Sequence, residues 1–179
     1  MNLFQARDMV ARLLDEETAD EFQHKLPSFY DYAQKQIATT VDYIENNIIV
    51  TPLEDVRDTD ISKELMTQTG KRLYKLRRII TDGEYEHLYD NVYRLYGGTD
   101  YRMLCYVYPD TISEETDLEY EFEVSPEAQP AIVYYAAAQT VITDTDQRPY
   151  YAFMDRYNNI LQNISEARRN NVTLKVVEL

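Results

Sequence analysis

The chain has 179 residues, enough for one domain with an excursion, and carries 18 Lys and Arg against 32 Asp and Glu, a formal net charge of −14. That charge argues against intrinsic affinity for nucleic acid or an anionic membrane surface, and no run of about 18 apolar residues marks a membrane-spanning helix. The opening "MNLFQARDMVARLL" lacks the basic region of a secretory leader and the single Cys105 has no partner for an internal disulfide, so the expectation is a protein made and kept in a reducing cytoplasm.

Residues 2–16 read as a helix, with Asn2 as its cap and Leu3, Ala6, Val10 and Leu13 at helical spacing. After a polar connection, Pro27 suits the first turn of a second helix over 27–47, whose stripe is Phe29, Ala33, Ile37, Val41, Ile44 and Ile48. Residues 49–70 are polar, acidic and weakly periodic, and read as loop with one short helical turn. From 71 to 108 the period moves towards two. Asp82-Gly83 is a hairpin signal after "KRLYKLRRII", and Gly97-Gly98 is a second turn signal before "DYRMLCYVY".

"DLEYEFEV" (117–124) alternates. Leu118, Tyr120, Phe122 and Val124 face one way and Glu119, Glu121 and Glu123 the other, which predicts a strand with one acidic face. Ser125-Pro126-Glu127 restarts a helix that runs to about Ile142. "TDTDQRP" breaks it, and a last helix over 149–169 has the stripe Phe153, Tyr157, Ile160 and Ile164. Val172 to Leu179 read as a short extended tail.

The expected fold class is therefore α+β. Residues 1–48 and 125–170 form a helical core of two N-terminal and two C-terminal helices, 49–124 a loop and β-rich insertion, and 171–179 the tail. Ala131 to Ala138 carry no charge, and a helix apolar all round must be buried all round. Either it is the central helix of a small bundle, or another subunit covers its outer side. Seventeen tyrosines without a tryptophan suit half-buried strands and surfaces that meet other proteins.

Chemistry-bearing motifs are sparse. Asp58 and Asp60 open like a calcium loop, but Lys63 stands where glycine is needed and Thr69 where the bidentate glutamate belongs, so Asp55, Asp58, Asp60 and Glu64 read as a solvated loop. His24 and His87 lie apart and make no metal-ligand spacing. Cys105 reads as a small buried hydrophobe, with a Cys–His pair to His87 as the minor alternative. No glycine-rich phosphate loop and no nucleophile elbow is present. The basic cluster Lys71, Arg72, Lys75, Arg77 and Arg78 reads as cations paired with acidic neighbours on the same or an adjacent subunit, ahead of a nucleic-acid contact.

The stretch "SPEAQPAIVYYAAAQTVITDTDQRPYYAFMDRYNNILQNI", residues 125–164, resembles the head–tail connector, or adaptor, proteins of tailed bacteriophages and prophages. The resemblance rests on the Pro126-Glu127 helix start, the run Tyr134 to Ala138, the break with Asp144 and Asp146, and the helix with Phe153 and Tyr157. "YVYPDTISEETDLEYEFEV" (106–124) looks like the longer members, in which a β-rich insertion joins two pairs of helices. The resemblance implies a structural virion protein of the neck, not an enzyme, with no cofactor and no metal. Its partners would be copies of itself in a ring, typically twelve-fold, the portal protein, and a head-closure (stopper) or tail protein.

DNA would pass through the ring without sequence-specific binding, and no membrane is involved. On this chain it places Tyr134, Tyr135 and Ala138 at the subunit interface and Val172, Leu174, Val176 and Leu179 at the portal, by strand addition. Glu119, Glu121 and Glu123 become candidates for the channel wall. A stopper protein is the alternative within the class; a cytoplasmic enzyme or small-molecule-binding protein is the alternative outside it.

Overall fold

The computed structural model describes residues 1–14 and 22–177, with side chains through Asn170. Among them are five helices and two antiparallel three-stranded sheets, a mixed α+β protein. The chain divides into two compact units, residues 1–42 with 111–179, and residues 43–110.

In the helical unit, α1 (Leu3–Leu13) begins at a reciprocal cap. Asn2 Oδ1 accepts from Gln5 N at 2.9 Å while Gln5 Oε1 accepts from Asn2 N at 3.1 Å. Its buried face is Leu3, Ala6 and Val10. Helix α2 (Leu26–Thr40) has proline in its first turn and buries Leu26, Tyr30, Ala33, Gln34, Ile37 and Ala38. It stops at Thr40, not at 47, and Ile44 and Ile48 belong to a strand.

The chain returns to this unit at 111–112, where Asp31 Oδ1 accepts from Ile112 N at 2.9 Å. Helices α4 (Gln129–Thr140) and α5 (Arg148–Val177) complete it. α4 packs on α1, α2 and α5, which explains its lack of a polar stripe: three neighbours leave only Tyr134, Tyr135 and Gln139 partly open to water after the first turn.

Residues 117–124 form turns and one isolated bridge, Asn2 with Glu121, where the alternation predicts a strand. Their backbone partner is a helix end. Tyr120 O and Leu118 O accept from Leu3 N and Phe4 N, both at 3.0 Å, and so satisfy donors that the first turn of α1 leaves open. The sequence period survives at Phe122 and Val124, which are buried, while Leu118 is exposed. Two buried glutamines hold this segment. Gln34 Oε1 accepts from Glu123 N (2.9 Å) and Gln34 Nε2 donates to Tyr120 OH (3.1 Å). Gln129 Nε2 donates to Phe122 O (3.3 Å) and Val124 O (3.1 Å).

In the second unit, β1 (Ile44–Val50), β6 (Tyr101–Val107) and β3 (Leu73–Ile80) form one sheet in that order. β2 (Val56–Asp60), β5 (Val92–Tyr96) and β4 (Tyr85–Tyr89) form the other. The Asp82-Gly83 hairpin is corrected, because β3 and β4 lie in different sheets. The two-residue hairpin joins β4 to β5 through Asp90 and Asn91, with Asp90 in the left-handed region (φ 44°). Gly83 serves close approach instead: a Cβ there would stand 2.3 Å from Thr99 Cγ2 and 2.8 Å from the Tyr101 hydroxyl.

The stretch 49–70, expected as loop with one short helical turn, holds the strand β2 and a longer helix, α3 (Ile61–Thr69). Asp60 caps α3 through Ser62 N (3.0 Å), Ile61 and Leu65 face inward one turn apart, and Gly70 ends it at φ 71°. Ile48, Val50, Ile61, Leu65, Leu95 and Met103 are among the core residues of this unit.

Candidate functional surfaces

The residues expected at a subunit interface lie on α4, and they divide. Ala138 is fully enclosed by its own unit, which corrects that expectation: its small side chain lets a neighbouring helix approach and leaves nothing for a second copy to touch. Tyr134 and Tyr135 are half-buried. Tyr135 stacks on Tyr32 (5.5 Å between centroids, 21° between planes) and tilts against Tyr157 at 5.4 Å. Tyr157 is buried and its hydroxyl has no hydrogen-bond partner among the described residues; burial, with the nearby phenols of Tyr135 and Tyr32, pushes it up to about 12. At the other end of the ladder Tyr32 is 56% exposed, and Tyr151 on α5 is 62% exposed. A seam of aromatic rings thus runs from the interior of the helical unit to its surface.

The three candidate channel glutamates do not share a face. Glu119 Oε2 accepts from Asn2 Nδ2 at 3.0 Å and is exposed, as is Glu121. Glu123 is half-buried, and its carboxylate accepts from Tyr120 OH at 3.1 Å. Alternation fails because turns, not a pleat, set the side-chain directions here.

The extended tail is also corrected. Val172, Leu174 and Val176 lie on α5, which continues to Val177, because "EARRNNVTLKVV" holds neither glycine nor proline to stop a helix. Leu179 lies outside the described residues.

The helical unit also holds a cleft of about 340 Å³, walled by Leu3, Leu26 and Leu118 and edged by Arg7, His24 and Glu114. Tyr30 forms part of its wall. The Tyr30 hydroxyl is buried without a hydrogen-bond partner among the described residues, and burial raises its pKa against the opposing field of Arg7. The arrangement suits an amphiphilic small molecule, with an apolar floor and a charged mouth.

Elsewhere, reactive side chains are occupied or quenched. Burial pushes the Cys105 thiol up to about 11, so it stays protonated at neutral pH. His87 Nε2 lies 3.0 Å from Asp90 O. Asp58 is held below the usual carboxylate range by its hydrogen bonds from Arg94 (2.8 and 3.2 Å), and Glu64 pairs with Arg57 at 2.5 Å. Of the acids of the calcium-like stretch, Asp60 therefore caps a helix, Asp58 and Glu64 pair with arginines, and Asp55 is exposed. Among the described residues no cluster of three or more His, Cys, Asp or Glu could hold a metal ion.

Lys75, Arg77 and Arg78 of the basic cluster sit on β3, and Lys71 and Arg72 just before it; β3 is an edge strand whose core residues Leu73, Leu76 and Ile79 recur every third position. Strand geometry allows only two, and the difference is absorbed by two register shifts against β6, between Leu73 and Lys75 and between Leu76 and Arg78. Each adds a residue, Tyr74 and Arg77, to the outer side. Arg77 reaches across Tyr106 (5.8 Å from the ring centroid) to pair with Glu45 on β1, and Lys71 pairs with Asp110 at 2.8 Å.

Sequence reasoning left three features unassigned: the two clamping glutamines, the cleft and this outer sheet face. Only the last had a signal, the period of three in "KRLYKLRRII". The chain matches no protein-family model and no curated protein. No described helix is long and apolar enough to cross a membrane.

Proposed function

We propose that the protein is a head–tail adaptor of a tailed bacteriophage or prophage, a structural component of the virion neck that assembles as a ring beneath the portal. The observation that carries this reading is the construction of the helical unit. Two helices before residue 43, α1 and α2, and one after it, α5, pack around the alanine- and tyrosine-rich α4, and a β-rich module enters between the two pairs of helices. An insertion between two pairs of helices is what the resemblance of residues 106–124 to the longer members implies, and this supports the reading.

In this reading Tyr32 and Tyr135 of the aromatic seam, together with the half-buried Tyr134 and the exposed Tyr151, provide the lateral contacts, since a half-exposed phenol combines apolar area with a polar tip. The end of α5, with Val172, Leu174 and Val176, docks on the portal as a helix. The acidic surface, Glu119 and Glu121 included, lets DNA pass by repulsion, and function lies in assembly rather than in catalysis.

The test is mass in solution, alone and with the cognate portal protein. A ring on the portal is expected. Tyr32→Glu with Tyr151→Glu is expected to leave a folded chain that no longer assembles, whereas Ala138→Glu unfolds the helical unit. A wild-type chain that makes no complex with its portal overturns the proposal. The cleft beside Tyr30 favours a second reading, a small-molecule-binding protein, which predicts a ligand-induced rise in melting temperature that Arg7→Ala removes.

A further inference from the structure

The outer face of the β1–β6–β3 sheet is built unlike the rest of the molecule. Residues 43–110 carry nine basic and twelve acidic residues, −3 of the net −14, so the helical unit holds the other −11. Yet the cations of this module converge. The strand registers place Lys75 beside Tyr106, Arg78 beside Leu104 and Ile80 beside Arg102, all on the side away from the core. From β1 the same registers bring Glu45, Asn47 and Ile49.

Arg72 lies over the ring of Tyr108 (5.6 Å), and Arg77 over Tyr106. Five cations therefore share this face with one carboxylate, Glu45, which Arg77 occupies. Lys75, Arg78 and Arg102 make no ion pair among the described residues. Between them stand exposed apolar groups: Ile49, Ile80 and Tyr74.

Tyrosine, arginine and isoleucine in one patch is the composition of a protein-binding surface. Nucleic acid fits less well. Single strands bind by stacking bases on free aromatic faces, and here the faces are taken. Tyr43 stacks on Tyr106 at 4.6 Å and lies parallel to Tyr74 at 6.3 Å, and Tyr74 meets Tyr108 edge-on at 5.3 Å. A polyanion would also face the charge of the remaining chain.

An acidic protein segment with an apolar residue at its centre would fit, and the chain contains one. Glu114, Glu115, Asp117, Glu119 and Glu121 are all exposed, around Leu118, itself 46% exposed. None of these carboxylates makes an ion pair among the described residues.

We infer that the outer face of the β1–β6–β3 sheet is the docking site for the acidic 114–121 segment of a second copy of this chain. The inference deepens the ring reading and rests on it. Because donor and acceptor surfaces differ, the contact is head-to-tail, the kind of interface that propagates around a ring until rotation closes it. It also weakens with salt, since the pairs are exposed and the screening length falls to about 8 Å at physiological ionic strength.

Two charge-reversed chains test it: Lys75→Glu with Arg78→Glu, and Glu114→Lys with Glu115→Lys. All four positions are exposed, so the melting temperature of each is expected to match the wild type. Self-association is measured by solution mass at low ionic strength, alone and on the portal. Each variant alone is expected to associate more than about tenfold more weakly than the wild type, and an equimolar mixture to recover wild-type association. Rings whose formation neither variant changes overturn this face and leave the ring reading standing. No self-association by the wild type, alone or on the portal, removes both. Binding of a labelled oligonucleotide that Lys75→Glu with Arg78→Glu abolishes, without any effect on association, overturns the inference in favour of nucleic acid.

Discussion

Replacing Gln34 by leucine separates two ways of holding residues 120–124. Gln34 is wholly buried on α2, and its amide makes two hydrogen bonds to that segment, accepting from Glu123 N at 2.9 Å and donating to Tyr120 OH at 3.1 Å. Leucine keeps most of the volume, so the packing loss is small and the change isolates the polar term. The Tyr120 hydroxyl still donates to the Glu123 carboxylate. The Glu123 N–H loses the glutamine acceptor inside the protein, which costs about 1–3 kcal/mol. A loss of about 2 kcal/mol, at a urea dependence of about 2 kcal/mol/M, lowers the unfolding midpoint by about 1 M.

Alanine at the same position is expected to cost about 2 kcal/mol more, from the cavity it leaves. Hydrogen exchange gives a local readout: the Glu123 amide should lose protection in Gln34→Leu while amides of α4 keep theirs. A midpoint shift below about 0.3 M, with Glu123 still protected, would refute the clamp.

Three further outcomes are expected. Tyr157 has a phenol raised from 10.0 to about 12 by burial, so the folded state favours its neutral form. Its contribution is whole below pH 10 and is lost as pH rises towards 12. Phenolate absorbance should therefore lag behind free tyrosine in this range and catch up on unfolding, and a fully normal titration of all 17 tyrosines in a folded chain would contradict it.

Cys105, buried and with its thiol raised to about 11, should resist alkylation at neutral pH until the 43–110 module opens, and labelling at the rate of a free thiol would contradict that. Tyr101→Phe should cost about 1–3 kcal/mol, because its buried hydroxyl accepts from Tyr96 N (3.2 Å) and reaches Glu84 O (2.7 Å) and Tyr96 O (2.8 Å). Thermal unfolding of the variant checks it.

The helices of the chain ends were legible because each carries a start signal or a stripe: the Asn2 cap for α1, Pro27 in the first turn of α2, and the stripe from Phe153 to Ile164 on α5. The junction at Thr40 was not. Ile37, Val41, Ile44 and Ile48 are three or four apart, and a spacing of four returns to the same face under a period of two as well as under 3.6. Ile44 and Ile48 could thus belong to helix or strand, and the sheet took them.

Helix α3 had its signals in plain sight, Asp60 at one end, Gly70 at the other and Ile61 with Leu65 between, but the surrounding acidity masked them. Residues 117–124 show the opposite failure, a clean alternation whose backbone partner is the first turn of α1. Hydrophobic pattern reports which side chains go inward, and says nothing of what the backbone pairs with. The aromatic seam and the ion pairing across the sheet face were illegible for a related reason: both join residues from distant elements, Tyr32 with Tyr135 and Arg77 with Glu45.

Ile44, the first residue of β1, stands opposite Val107, the last residue of β6. Paired strands hold such residues within about 5.5 Å between Cα atoms. The polypeptide therefore leaves for residues 43–110 and comes back at nearly the same point, like a cassette with both leads on one side. A few linking residues could stand in for all of it, and a foreign module with similarly neighbouring ends could be spliced there without stretching the host helices.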